Sequence, residues 1–414
     1  MPKSVRSVTI PDGSNETIHP DPSTTPWRFL PHAAALAGRA GLRVLLIESY
    51  GAGSHLRIAR LLQETSRHRI DIIRLGREHW RTLALTGHRA IAEALSALPD
   101  QAYDLLIFSG PADVRLVAAA IPSAWRPIPL AVYFHESQWT YPAGALDRIP
   151  HLVNHLETLE HCAAIWFNSR YHRDTFFTSA WRHQHPVVRS LARVILPVQT
   201  HKSSVLYPPV RVEEHPARRN ETLTIAWSAR WEQEKRPDLM LAIMRSVLAA
   251  GLQVRLHILG CAPERWRAEL RVDPRLREII HPASGYLPRA EYEAVLAQAD
   301  VWLSTAEHEY FGVAALEAVV LGAVPVVPAA LAYAETLPSA FTYPPGNACA
   351  AAQRILRVSQ AGRPRSGAWT IDARRFHYRA AVGRFDDAIE RVVSGFRGGA
   401  QACERSQPRA SCAS

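Results

Sequence analysis

The sequence predicts an α/β protein of two Rossmann-like halves. Three observations carry that expectation. Short apolar runs alternate with stretches of helical periodicity, the pattern of parallel strands covered on both faces. A stretch rich in proline and charge, 207–221 (YPPVRVEEHPARRNE), interrupts the alternation and reads as a linker. The alternation then restarts over a similar length.

Taken in order, residues 1–38 are expected to be a flexible extension, polar and rich in Pro, Ser and Thr, with no apolar core of a signal peptide. The first domain is expected over 39–206. It opens with a strand at 42–48 (LRVLLIE), followed by a helix over 55–63 and a strand at 71–75. Further buried strands are expected at 104–108 (DLLIF) and 130–134 (LAVYF), with a helix between them, and at 165–168 (IWFN), followed by a helix over 171–177. The second domain is expected over 207–362, with strands at 223–227, 254–259, 301–304 and 324–327 and helices over 237–249 and 289–297. Residues 279–280 read as part of a short strand, and another helix opens after Gly312 and ends near Gly322. A basic helix is expected within 363–397, about 372–394, and a disordered tail over 398–414. No internal repeat is present.

The bulk numbers fit this reading. The chain has 414 residues, of which 47% are hydrophobic and 21% charged, enough for two full cores. No run approaches the ~18 consecutive apolar residues of a membrane span, so no stable membrane association is expected. The five cysteines, Cys162, Cys261, Cys349, Cys403 and Cys412, show no paired spacing, which points to a reduced, cytoplasmic protein. The net charge of +10 favours anionic partners such as nucleic acid or nucleotides, although an arginine-rich solvated surface would give the same number.

The stretch 299–328 (ADVWLSTAEHEYFGVAALEAVVLGAVPVVP) carries the most chemistry. Glu309 lies before the expected helix and Glu317 inside it, eight positions on. Free N–H groups at a helix start attract phosphate, and carboxylates beside them can accept from sugar hydroxyls. A sugar-nucleotide donor needs that combination. Glu317 is flanked by Ala314, Ala315, Leu316, Ala318, Val319 and Val320, where a carboxylate without partners is costly. Arg230 and Lys235 follow a strand and precede a helix beginning at Pro237. This is the edge at which parallel sheets bind ligands, and the two cations can neutralise a diphosphate there. The competing reading is two solvated charges among Glu232, Gln233 and Glu234.

Tyr50-Gly-Ala-Gly-Ser-His55 follows the first strand without completing a dinucleotide fingerprint. It reads as a phosphate-approaching turn or as a plain structural one. His135, at the end of LAVYF, is a candidate donor to sugar hydroxyls, with Glu136, Gln138 and Tyr141 beside it; Asn168 is a similar candidate. No metal-spaced cluster and no Asp-x-Asp motif is visible, so no metal and no cofactor is expected.

Arg230…Lys235 with Glu309…Glu317 resembles the retaining GT-B glycosyltransferases. The resemblance implies two Rossmann-like domains facing each other across a cleft. It assigns Arg230 and Lys235 to the donor diphosphate, Glu317 to the ribose, Glu309 to the transferred sugar and His135 to a sugar contact from the first domain. The donor-binding set so implied also takes in Phe311, Gly312, Val313, Gly53 and Ser54, and the acceptor-binding set His55, Gln138, Tyr141 and Asn168. A narrower resemblance comes from LLIESYGAGSHLRIARLLQ, REHWR, VYFHESQWTYP, WFNSRYHRDTFF, WSARWEQEKRPD and SGYLPRAEYEAVLAQADVWLSTAEHEYFGVAALEAV. These look like the tRNA-queuosine α-mannosyltransferases. That implies transfer of mannose from GDP-mannose to queuosine at the anticodon wobble position of tRNA-Asp, with tRNA as partner. Candidate RNA contacts are Arg363, Arg365, Arg374 and Arg375 and the aromatics Trp80, Trp139 and Tyr141, of which Trp80 and Trp139 read equally well as core. The alternatives are a GT-B enzyme with a lipid or polysaccharide acceptor, and an RNA-binding protein with a vestigial donor site.

Overall fold

Strands apolar at nearly every position need cover on both faces, and the chain supplies it twice. The computed structural model describes residues 27–32, 41–51, 53–76, 80–98, 102–109, 113–125, 127–140, 148–212, 221–260, 273–281, 285–361 and 375–406, together with Pro263, Trp266 and Leu270. In the first lobe the strands are Trp27–Leu30 (β1), Arg43–Glu48 (β2), Arg69–Leu75 (β3), Leu105–Ser109 (β4), Leu130–Phe134 (β5), Ala164–Phe167 (β6) and Ser203–Val205 (β7). They form a seven-stranded sheet of order β1-β3-β2-β4-β5-β6-β7. All neighbours are parallel except β1, which runs antiparallel to β3.

β1 corrects the expectation of an extension over 1–38. Trp27 and Leu30 are buried, and Gln63 Nε2 donates to the Leu30 carbonyl at 2.9 Å. A four-residue edge strand is too short to show a periodicity. Two further helices, Ile149–His161 and Pro186–Gln199, were not expected. The first does carry Leu152, Leu156 and Leu159 at helical spacing, diluted by His and Asn. The second contains Pro197, a residue that argues against a helix interior.

The second lobe is a five-stranded parallel sheet of Leu223–Ser228 (β8), Val254–Leu259 (β9), Val301–Leu303 (β10), Val324–Pro328 (β11) and Thr342–Tyr343 (β12), in the order β12-β11-β10-β8-β9. Ile280 touches it through a single bridge to Leu256. Met240, Leu241, Ile243 and Met244 of the helix Pro237–Ala249 bury against one face of this sheet.

The chain then returns to the first lobe. Val210 and His377 bridge side by side where the two crossing segments meet. The last helix, Tyr378–Ser406, lays Val382, Phe385, Ala388, Ile389 and Val393 into the core formed by Leu46, Ile58, Tyr133 and Trp166. Its Asp386 accepts from Ser66 Oγ at 2.5 Å, and Asp387 and Glu390 pair with Arg67. The helix expected to be basic thus has one face in the core and acidic residues facing Arg67. The segments 1–26, 33–40, 213–220, 362–374 and 407–414 lie outside the described residues.

Candidate active site

The carboxyl end of β10 runs through a loop at 304–312 into the helix Val313–Val320. Gly312 makes the turn, with φ at 85°; a Cβ there would stand 2.8 Å from the Tyr333 ring. Glu309 folds back over this helix entry. Its Oε1 accepts from the Gly312 and Phe311 amides at 3.1 and 3.4 Å. Its Oε2 lies 3.1 Å from Lys235 Nζ, which also donates to the His308 carbonyl at 2.9 Å. Burial pushes the Glu309 carboxyl up, but Lys235 and the two amides outweigh it and hold the group below the usual carboxylate range. Lys235 reaches this point from a short 3₁₀ turn, Gln233–Lys235, beyond β8. Phe311 is core, stacked on Tyr207, and only its backbone faces the helix entry; Val313 is half-buried.

Arg230 stands at the same sheet edge, largely exposed, 3.1 Å from Glu232 and 3.6 Å from Glu234. Ion pairs of so exposed a guanidinium contribute little stability. Glu317 is 2% exposed and fully engaged: Arg289 grips it bidentately at 3.0 and 3.2 Å, and Arg57 pairs with it from the first lobe. The partners its burial demanded are therefore two arginines, on the helices Arg289–Gln298 and Gly53–Thr65. Burial first, then the neighbouring Arg289, brings the Arg57 guanidinium down to about 10.

The facing wall is built on the ends of β2 and β5. Glu48, the last residue of β2, is fully buried. Its oxygens accept from the Tyr50 amide at 2.9 Å and from Ser109 Oγ at 2.6 Å. His55 Nδ1 lies 3.6 Å from one oxygen and His135 Nε2 3.4 Å from the other. The two imidazoles stack at 4.1 Å. Burial works against charge on all three groups, yet Glu48 is held low by the two histidines and His55 is raised by Glu48. His135 falls to about 4, through burial first and then the neighbouring His55. The donor atoms of Glu48, His55 and His135 lie within 4.8 Å of one another, so this is where a metal ion could be held among the described residues. Wide sequence separation kept the trio from showing as a metal-spaced cluster.

Other expected site residues fall elsewhere. Asn168 spends its side chain on structure: Nδ2 donates to the His135 carbonyl at 2.6 Å and Oδ1 meets His172 Nδ1 at 2.8 Å. Trp139 is 8% exposed and packed among Phe176, His155 and His183, which makes it core rather than a stacking platform for RNA. Arg375 donates to the Glu335 carbonyl at 2.7 Å and lies over the Phe376 ring, so it is committed within the molecule. Gln138 is half-buried on the cleft-side loop, and Gly53 and Ser54 are exposed at the start of their helix. Tyr141, Arg363, Arg365, Arg374 and the Trp80 side chain lie outside the described residues. Glu48, Arg57 and Arg289 escaped the sequence reading. A strand-end glutamate and two helix-surface arginines carry no local signature in an arginine-rich chain.

Comparison with known proteins accounts for both lobes. Residues 43–210 match the family model of the tRNA-queuosine alpha-mannosyltransferase N-terminal domain, and residues 212–375 match glycosyl transferases group 1. The tRNA-queuosine alpha-mannosyltransferase of Drosophila melanogaster is 28% identical over 324 residues, covering 74% of this chain and 84% of the relative. Among solved structures, Anabaena Alr3699/HepE in complex with UDP and glucose superposes with a TM-score of 0.59 at 14% identity, over 84% of this chain and 99% of that one. The apo form of the lipopolysaccharide outer core galactosyltransferase WaaB gives 0.58 at 14% identity, over 84% and 98%. At these identities the structures establish the GT-B fold.

Proposed function

We infer that this glycosyltransferase, a relative of the tRNA-queuosine alpha-mannosyltransferases with their N-terminal domain and a group 1 domain, moves mannose from GDP-mannose to queuosine in a tRNA anticodon. The observation that carries the reading is the Lys235–Glu309 pair at the entry of the helix Val313–Val320, across from the His55–His135 stack. In this reading the donor diphosphate binds beside the helix entry, near Lys235 and Arg230, and competes with Glu309 for their charge. Lys235 and Arg230 then neutralise the charge that grows on it as the glycosidic bond breaks. No metal is required for that step, since ammonium, guanidinium and helix amides supply the positive charge. Glu309 and His135 orient the transferred sugar.

Glu317 selects the donor ribose, which enters by displacing Arg57 while Arg289 keeps the carboxylate aimed. Transfer proceeds with retention, by analogy with the family. The acceptor RNA enters from the first-lobe side, in the cytoplasm, and the net charge of +10 supplies its non-specific attraction. Among the described residues no helix is long and apolar enough to cross a membrane.

Incubation with GDP-mannose and bulk tRNA, followed by nucleoside mass analysis, tests the reading. The expected product is queuosine heavier by one hexose residue. GDP-mannose binding without a modified nucleoside would discard the acceptor, and absence of donor binding by calorimetry would leave a vestigial site.

A further inference from the structure

The loop that carries Glu309 is tied to the opposite lobe by the residue next to it. The Tyr310 hydroxyl lies 2.9 Å from Ser137 Oγ, 2.8 Å from the Ser137 carbonyl and 2.8 Å from Thr140 Oγ1, all on the loop after β5. Its ring stacks on His172 at 3.9 Å, and its own carbonyl accepts from Ser169 Oγ at 2.5 Å. Ser169 also caps the helix Arg170–Trp181, so this contact begins on a rigid element. Thr140 Oγ1 meets His308 Nε2 at 2.8 Å as well. Three consecutive residues, His308, Tyr310 and the Glu309 between them, are thus held from both sides: by Lys235 in their own lobe and by Ser137, Thr140, Ser169 and His172 in the other.

Tyr310 is 4% exposed, and its buried hydroxyl has first-lobe partners only. Burial raises the phenol's value against the pull of the Ser137 and Thr140 hydrogen bonds, so the hydroxyl keeps its proton. When the lobes separate, that hydroxyl loses every protein partner named here and the ring loses its stack. The loop then keeps its second-lobe ties, among them Lys235, the Glu309–amide bonds and the Glu307 amide on the Glu234 carbonyl, but not the hydroxyl bonds and the His172 stack that hold Tyr310 in place. We propose that Tyr310 is a positioning residue: it hangs the Glu309 loop from the first lobe, so that Glu309 takes its working place only when the lobes are closed. The loop after β5 also carries His135 and Gln138, so the same latch sets the distance between the two walls of the cleft. A site assembled by closure does not offer an activated donor to water while open.

This rests on the donor-site role of Glu309 for its catalytic half, and the test has a half that does not. Tyr310→Phe removes the three hydroxyl contacts and keeps the ring; Thr140→Val removes one of them from the other side. Amide hydrogen exchange at Phe311 and Gly312, whose N–H groups Glu309 accepts, is expected to quicken in both variants, with the melting temperature close to wild type. In the transfer assay kcat is expected to fall about tenfold in each, since a small displacement of a catalytic group is costly. GDP-mannose affinity, to which Arg230, Lys235 and Glu317 contribute without touching Tyr310, should change less than kcat, within about twofold. The double variant should do little worse than Tyr310→Phe alone, because one connection is cut twice. Unchanged exchange at both amides overturns the latch whether or not the protein transfers mannose. Losses that multiply in the double variant, or a kcat loss explained by a lowered melting temperature, overturn it too. Quickened exchange with no transfer by the wild type would keep the latch and discard the assigned reaction.

Discussion

Glu309 stays ionised because of three removable neighbours, and the most removable is Lys235. Its depressed carboxyl means that the ion pair is present at neutral pH and is lost as pH falls through the folded value. Lys235→Ala leaves burial unopposed by that charge. The variant should lose transfer by about 10²- to 10³-fold, and the acid limb of its pH–rate profile should move to higher pH. Parallel kcat/KM profiles for variant and wild type check both outcomes; an unmoved acid limb would detach Glu309 from that limb. His155 shows the opposite side of burial. Enclosed by Phe134, Trp139 and Phe176, and beside His151, it is brought down to about 3. Its unfolded value is about 6.5. Between those limits the unfolded chain binds a proton that the folded protein refuses. Stability therefore drops by about 1.4 kcal/mol per pH unit as pH falls through that window. His155→Phe keeps the ring contacts and removes the proton, so the gap between urea midpoints taken at neutral and mildly acid pH should narrow, the remainder belonging to other buried histidines such as His135 and His172. Of the site's side chains, Glu309, Glu317 and Lys235 were readable because each sits in a strand–loop–helix unit whose edge binds ligands. Glu48 was not, because its meaning comes from imidazoles on other elements.

The helix Val313–Val320 owes its entry to one residue without a side chain. Gly312→Ala would place a Cβ against the Tyr333 ring in a backbone region that L-residues rarely occupy. The expected cost is about 2 kcal/mol of stability, with a weaker donor affinity because the helix amides shift. Chemical denaturation and donor calorimetry would measure the two effects. Elements such as β2, β5 and the helix Pro237–Ala249 were legible because a continuous apolar run or a clean helical period specified them. The helix Pro186–Gln199 was not, because Pro197 breaks the pattern where the outer face turns to solvent. Its exposed side also holds Val187, Val194 and Val198 beside Arg189 and Arg193, which blurs the boundary between its two faces.

At the scale of the whole molecule, two lobes could be read from the linker and the restarted alternation. The destination of the last helix could not. An amphipathic face announces that it will be buried but not against what. Phe385 settles the question, fully buried beside Tyr133 and Trp166. Phe385→Ala should cost about 3–5 kcal/mol, and the loss should register in the first lobe although the residue lies at the far end of the chain. Trp166 fluorescence during urea unfolding reports it, and a loss confined to second-lobe probes would contradict the assignment.

That return has a bearing on how the protein is made. The ribosome releases all seven strands of the first sheet, and then the entire second lobe, before Phe385 emerges. Until that moment the Tyr133–Trp166 face waits bare. The lobe translated first is consequently the last to finish folding, and a nascent chain stalled after its second sheet would present an oily surface to chaperones and proteases.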